Sequence, residues 1–340
     1  MEYRRLGRSG LRVSPLCLGT MLFGSRTVEA EASRIVQEAR EAGVNFIDTA
    51  DSYNGGEAER IVGRLVKRDR EHWIVASKVG NPMGTGPNDD GLGRRRIVRS
   101  AEDSLRRLQT DRIDLYYLHR DDPHTPLEES LSAIGDLIAQ GKILHFGISN
   151  FRGWRIAEVV RLCDSAGIDR PVGAQPYYNA VNRLPEVEYL PACGHYGIGV
   201  VPYSPLARGV LTGKYLPDAK PPEESRLARN DERLMTTEYR QESLRIAQLF
   251  RERAQARGIS AGQFALRWVL NHRYVAAAVA GPRTLDQWRD YAGALAFDFS
   301  EDDEAFVDRL VAPGHPSTPG YTDPKYPVTG RVPRTPHRGS

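Results

Sequence analysis

An α/β fold, a closed (β/α)8 TIM barrel, is predicted by three features of this 340-residue sequence. Eight short apolar runs recur along it, rich in leucine or β-branched residues and without polar alternation, as strands buried on both faces require. Segments of helical period separate the runs, so strand and helix alternate, which implies parallel strands joined by right-handed crossovers. Eight such units over most of the chain close a barrel more readily than they fill an open sheet.

In chain order, a hairpin-like segment comes first, with residues 3–6 and 11–13 flanking a turn at Arg8-Ser9-Gly10. Barrel strands are then expected at 15–19, 44–48, 73–78, 113–119, 143–149, 171–175, 197–203 and 275–281. Residues 29–42 place Ala32, Ile35, Val36 and Ala39 on one helical face, and 97–108, 126–140, 154–166 and 285–296 share that period. The last two strands lie too far apart for one crossover. Residues 204–237, rich in proline, glycine and charge, are expected to form a long loop over the barrel mouth, with a helix near 238–257 after it. A second Gly- and Pro-rich loop spans 79–93. The chain thus divides into a barrel of residues 1–312 and a C-terminal extension, 313–340. The Pro, Gly and Thr content of that extension cannot form a core, so it drapes over the barrel or stays partly disordered.

Hydrophobic residues make up 40% and charged residues 27%, as in a globular enzyme with a sizeable core. The net charge of +3 is small, and the basic run Arg94-Arg95-Arg96 is short, so nucleic acid is not an expected partner. No apolar run reaches transmembrane length and the opening MEYRRLGRSG lacks a leader's apolar core, so no membrane partner and a cytoplasmic location are expected. Cys17, Cys163 and Cys193 are odd in number and lack metal-ligand spacing, so neither a disulfide framework nor a metal is expected. The oligomeric state is left open.

In such a barrel, loops after the strands' carboxyl ends build the active site. The second strand ends in Asp48, with Tyr53 five residues on; the third ends in Lys78 and the fourth in His119. A carboxylate, an ammonium, an imidazole and a phenol therefore converge on one rim. Each alone has a bland reading, as a loop cap, a solvated strand end or a core histidine. Together they suit proton transfer. Tyrosine ordinarily titrates near pH 10. A neighbouring ammonium stabilises its phenolate, Asp48 holds Lys78 in place, and His119 orients a substrate oxygen or joins the proton relay. Such a set polarises and protonates a carbonyl oxygen, the chemistry of hydride addition to an aldehyde or ketone.

The segments MEYRRLGRSGLRVSPLCLGTMLFG, FIDTADSYNGGEAE, VASKVG, DLYYLHR, GISNF, AQPYYN and PYSPLARGVLTGKY together resemble the aldo-keto reductase superfamily along most of residues 1–300. The resemblance implies that Asp48, Tyr53, Lys78 and His119 form the catalytic tetrad of an NADP(H)-dependent oxidoreductase that reduces a small-molecule carbonyl substrate. NADPH/NADP+ is the implied cofactor, with NADH possible but weaker. Its implied contacts begin with Gly19, Thr20, Met21 and Asp48. Ser149, Asn150 and Gln175 take the nicotinamide carboxamide, and Tyr203 stacks on the ring. Ser204, Pro205, Leu206, Gly209 and Lys214 follow the pyrophosphate. Gly281, Arg283, Gln287 and Asp290 take the adenosine end, with Arg283 on the 2′-phosphate. Thr284 and Gln287 also have capping-box spacing at a helix start, where phosphate is favoured. Where many family members carry Asn after an acidic residue, this chain has Tyr291 after Asp290.

Two alternatives remain at this level: a regulatory subunit that keeps the cofactor but turns over slowly, and a Schiff-base lyase using Lys78. Residues 79–93, 204–237 and the C-terminal extension are expected to line the substrate mouth, with Met21, Phe23, Met83 and Trp154 contributing. Their lengths imply room for something larger than a simple aldehyde.

Overall fold

The structure, a computed structural model, describes residues 1–216, 220–223 and 225–328. An antiparallel hairpin, β1 (Arg4–Arg5) and β2 (Arg12–Val13), opens the chain. Leu6 and Val13 are fully buried against the barrel-interior cluster of Cys17, Phe46, Leu115 and Tyr117, so the hairpin plugs the amino-terminal end of the barrel.

The barrel strands are β3 (Leu16–Gly19), β4 (Phe46–Asp48), β5 (Ile74–Val79), β6 (Ile113–Leu118), β7 (Ile143–Ser149), β8 (Gly173–Gln175), β9 (Gly199–Val200) and β10 (Ala278–Ala280). All pair in parallel in the order β10-β3-β4-β5-β6-β7-β8-β9. The ring closes where Val200 bridges Val275, the Val200 N–H donating to Tyr274 O at 3.0 Å and the Ala276 N–H to Val200 O at 2.8 Å. The strands are buried almost throughout, which is why their sequences do not alternate.

Helices pack outside. They are α1 (Glu29–Glu41), α2 (Glu57–Val66), α3 (Arg94–Leu108), α4 (Leu127–Ala139), α5 (Gly153–Ala166), α6 (Tyr189–Tyr196), α7 (Glu232–Thr237), α8 (Gln241–Ala256), α9 (Ala261–Asn271), α10 (Leu285–Gly293) and α11 (Glu301–Leu310). The buried face of α1 is Ala32, Ile35, Val36 and Ala39, as its period predicts. Helix α2 is harder to see in the sequence because Gly63 interrupts its apolar stripe. There α2 crosses the end of α3 so closely that an added Cβ would lie 2.4 Å from Leu108 O. The expected loop 204–237 holds more regular structure than its composition suggests, with a 3-10 segment at Ala207–Thr212 and then α7.

The C-terminal extension runs back over the barrel mouth as far as the described residues go. The Ser317 N–H donates to Val181 O at 3.0 Å, and Arg152 donates to the carbonyls of Tyr326 and Pro327 at 2.7 and 2.6 Å. Its expected remainder, 329–340, lies outside the described residues.

A buried ion pair fixes the loop that follows β4. Arg96 of α3 donates to Asp51 Oδ2 at 2.6 Å and Ser100 Oγ to the same oxygen at 2.7 Å, with both charged side chains almost wholly buried. Asp51 lies two residues before Tyr53. Burial pushes its carboxyl upward, and Arg96 is the main opposing influence. Arg96→Ala would strand that carboxylate, and urea unfolding is expected to show a loss of about 3–5 kcal/mol. Wild-type stability in that variant would mean that water reaches Asp51.

Candidate active site

Asp48, Lys78, Ser149 and Gln175 occupy the carboxyl-terminal ends of β4, β5, β7 and β8, and His119 directly follows β6. Parallel pairing in register brings these five to one rim. Tyr53 reaches the same rim from the loop before α2, where Asn54, Gly55 and Gly56 all take positive φ and turn the chain sharply.

Lys78 is fully buried and its three N–H bonds are all used. They go to the Asp48 carboxylate, to Thr49 O at 2.8 Å and to the Tyr53 hydroxyl at 3.3 Å. Burial pulls the lysine's pKa down, but Asp48 and Tyr53 more than offset it, and the ammonium is held above its ordinary value. The other Asp48 oxygen accepts from Gln175 Nε2 at 2.9 Å. Burial raises the Tyr53 phenol above the usual tyrosine range, with Lys78 pulling the other way. The ammonium thus offsets part of the burial effect without overturning it, and Tyr53 is a protonated donor at neutral pH.

His119 sits 5.9 Å from the Tyr53 ring, centroid to centroid, nearly perpendicular to it. Its Nδ1 faces Asn81 Nδ2 at 3.0 Å. An amide nitrogen only donates, so the imidazole carries its hydrogen on Nε2. Burial, then the charges of Lys78, Lys325 and Arg120, hold the ring's pKa well below the ordinary histidine value. A neutral Nε2–H donor and a phenol therefore share one wall.

That wall belongs to a cavity of about 900 Å³. Gly19, Thr20 and Met21 line it at the end of β3, beside Asp48. Ser149, Asn150, Gln175 and Tyr203 form its polar middle. Asn150 donates to His119 O and Ser149 Oγ at 2.9 and 3.0 Å, and accepts from the Tyr203 hydroxyl at 2.8 Å. The Tyr203 ring stacks on Tyr177 at 5.7 Å. Ser204, Pro205, Leu206, Gly209 and Lys214 continue the lining, as do Gly281, Arg283, Gln287 and Asp290. Asn150 and Ser204 hold φ of 60° and 55°, strained values of the kind that gather at functional sites. All the residues given catalytic or cofactor roles from sequence thus lie in or directly behind one cavity.

Other expectations shift. The start of α10 is less open to phosphate than its spacing suggests. Thr284 Oγ1 accepts from Gln287 N at 3.4 Å, but Gln287 Oε1 accepts from Arg283 N at 2.8 Å, and the Leu285 N–H goes to Glu31 at 2.7 Å. The Glu31 carboxylate already occupies that helix end. Of the four apolar mouth candidates only Met21 lines the cavity; Phe23 is fully buried core, and Met83 and Trp154 lie off the lining. Loop 79–93 contributes Asn81 alone. Loop 204–237 brings cations that sequence reasoning did not assign: Arg208, Arg226, Arg229 and Arg233. Arg26, Lys325 and Tyr326 join them, from segments with no polar periodicity to mark them, and Tyr291 of α10 lines the cavity too.

The Aldo/keto reductase family profile matches residues 15–312. An uncharacterized oxidoreductase of Bacillus subtilis, YrpG, is 38% identical over 313 residues, covering 89% of this chain and 93% of its own length. A probable voltage-gated potassium channel subunit beta of Oryza sativa subsp. japonica is 37% identical, covering 83% of this chain and 87% of its own. The L-glyceraldehyde 3-phosphate reductase of Escherichia coli K12 is 34% identical, covering 92% of this chain and 93% of its own.

Proposed function

Because the chain belongs to the aldo/keto reductase family, we propose that it reduces an aldehyde or ketone to an alcohol with NADPH, Tyr53 giving the proton. The observation that carries this reading is the Lys78 ammonium, which donates at once to Asp48 and to the Tyr53 hydroxyl at the cavity wall. A reduced nicotinamide, when bound, supplies the hydride. Tyr53 donates its proton to the carbonyl oxygen, and the resulting phenolate is stabilised by the ammonium already beside it. The His119 Nε2–H hydrogen-bonds the same oxygen and orients the carbonyl. Asp48, anchored by Gln175, keeps Lys78 charged and directed.

The lining fits a phosphorylated dinucleotide. Five cations, Arg26, Lys214, Arg226, Arg229 and Arg283, face one end of the cavity. Burial, with Arg226, Arg283 and Arg229, depresses the Lys214 ammonium, and similar repulsion acts on Arg26. A polyphosphate relieves that repulsion. Gly209, at φ 94°, keeps the approach to Lys214 narrow: a Cβ there would lie 2.9 Å from Nζ. Ser149, Asn150 and Gln175 would take the carboxamide, and Tyr203 the ring.

Arg283 would meet the 2′-phosphate. Arg283→Ala is expected to weaken NADPH binding by roughly ten- to a hundredfold and to leave NADH binding nearly as it was. Fluorescence titration of both cofactors against both proteins checks it, and equal losses for the two cofactors would make Arg283 a structural residue.

The relative named as a potassium channel subunit beta favours a second reading, a cofactor-holding regulatory subunit with slow turnover. Rapid NADPH oxidation with any member of a panel of aldehydes, quinones, keto-sugars and bulky ketones excludes it. A Schiff-base role for Lys78 is opposed by its raised pKa and its three committed N–H bonds. No helix among the described residues is long and apolar enough to cross a membrane, which is compatible with the cytoplasmic location we propose.

A further inference from the structure

Two separate groups of cations face the one cavity. The first, around Lys214 and Arg283, is matched above to the cofactor's phosphates. The second lies at the Tyr53 end, where Lys325 and Tyr326 of the C-terminal segment line the cavity together with Arg208 and Arg233. The charge of Lys325 reaches the His119 imidazole, and that of Arg208 reaches the Tyr53 phenol.

Three of the carboxylates nearby are committed. Asp323 is held by both arms of Arg233, Asp90 by Arg120 at 3.1 Å and Asp231 by Arg226 at 2.8 Å. Glu238 is buried; its Oε1 accepts from Asn179 at 3.4 Å, and its Oε2 has no hydrogen-bond partner among the described residues. Among the described residues, neither Lys325 nor Arg208 has a carboxylate within 4.0 Å, and Arg208 Nε is a buried donor without a partner. Burial, then Arg233 and Arg120, pull the Lys325 ammonium below the ordinary lysine range, with Asp323 a weaker opposing influence. Lys325 is therefore a cation held among cations, on the cavity lining near enough to act on His119.

We propose that the substrate is a carbonyl compound bearing an anionic group, a carboxylate or a phosphate, which Lys325 binds while the carbonyl meets Tyr53 and His119. This rests on the reductase reading. An anion at Lys325 gains charge-assisted hydrogen bonds and removes the repulsion from Arg233 and Arg120. A cavity whose lining carries eight lysines and arginines against five carboxylates also gathers such substrates, an effect that salt weakens. Arg208 adds to the field at the Tyr53 hydroxyl.

The test compares matched substrates at saturating NADPH: succinic semialdehyde against butanal for a carboxylate, and glyceraldehyde 3-phosphate against glyceraldehyde for a phosphate. At least one anionic member is expected to lead its neutral partner by roughly ten- to a hundredfold in kcat/KM, the lead shrinking as salt rises. The pair that shows the lead identifies the group. Lys325→Met is expected to bring the ratio close to one, and Lys325→Glu to turn it toward the neutral compound. Equal kcat/KM within both pairs, or a lead that survives Lys325→Glu, overturns the proposal. Equilibrium dialysis with succinate and glycerol 3-phosphate reads the site without turnover. Binding that Lys325→Glu abolishes, in a protein that oxidises no NADPH, would uphold the anion site while the reductase reading fell. Binding indifferent to that substitution would overturn the anion site.

Discussion

Tyr53→Phe is expected to bind NADPH as the wild type does and to lose about 10²–10⁴-fold in turnover, the usual worth of a positioned acid. The substitution removes only a hydroxyl. The ring stays, with its edge contact to His119 and the Lys78 ammonium over its face at 5.0 Å, so the fold has no reason to change. Lost with the hydroxyl is the proton, and with it the site where Lys78 stabilises negative charge. Burial holds the Tyr53 phenol above the usual tyrosine value, so the wild type's reduction rate should stay level through neutral pH and fall only as pH rises through that raised value. Stopped-flow measurement of cofactor binding and steady-state turnover on the same preparation separates the two effects. Turnover within a few-fold of wild type would remove Tyr53 from the chemistry.

Lys78→Met is expected to lose roughly a hundred- to a thousandfold in turnover, as when a preorganised electrostatic group is removed. The phenol then keeps the upward push of burial and loses the group that opposes it, so its pKa rises further. The protonated form is the active acid in reduction, and the alkaline limb of the residual activity must therefore move to higher pH. A merely structural lysine would not move that limb. The single variant also leaves the buried Asp48 carboxylate facing Met, which threatens folding. The double variant Lys78→Met with Asp48→Asn removes that charge while keeping an oxygen for the Gln175 amide. It should fold, as judged by circular dichroism, and show the same loss and a shift in the same direction, smaller because Asp48 also raises the phenol. A folded double variant with an unmoved limb would contradict the electrostatic role.

The barrel was legible because its strands are buried on both faces and announce themselves as unbroken apolar runs, and because the amphipathic period of helices such as α1 is clean. The meeting of these side chains on one rim was legible for a related reason: Asp48, Lys78 and His119 are polar residues at the ends of otherwise apolar strands, where polarity demands an explanation. What escaped has physical causes. Helix α2 is obscured by Gly63, which is there to let α3 approach. Asn81 gives His119 its tautomer through a contact between residues 38 apart in the chain. Arg226, Arg229 and Lys325 reach the cavity from segments whose sequence is only charged and irregular, and charge without periodicity carries no address. At the start of α10, where the spacing suggests a phosphate, the Leu285 N–H goes to Glu31, more than 250 residues away, a contact that no local pattern announces.

Reduction of a carbonyl compound with NADPH deuterated at the transferring position of its nicotinamide, followed by mass spectrometry of the product, addresses the proposed activity at the bond that forms. The wild-type protein should yield an alcohol carrying one deuterium on the former carbonyl carbon, and Tyr53→Phe, with cofactor bound, should yield almost none in the same time. An alcohol without deuterium, or no alcohol from any carbonyl compound tried, would contradict the reductase reading.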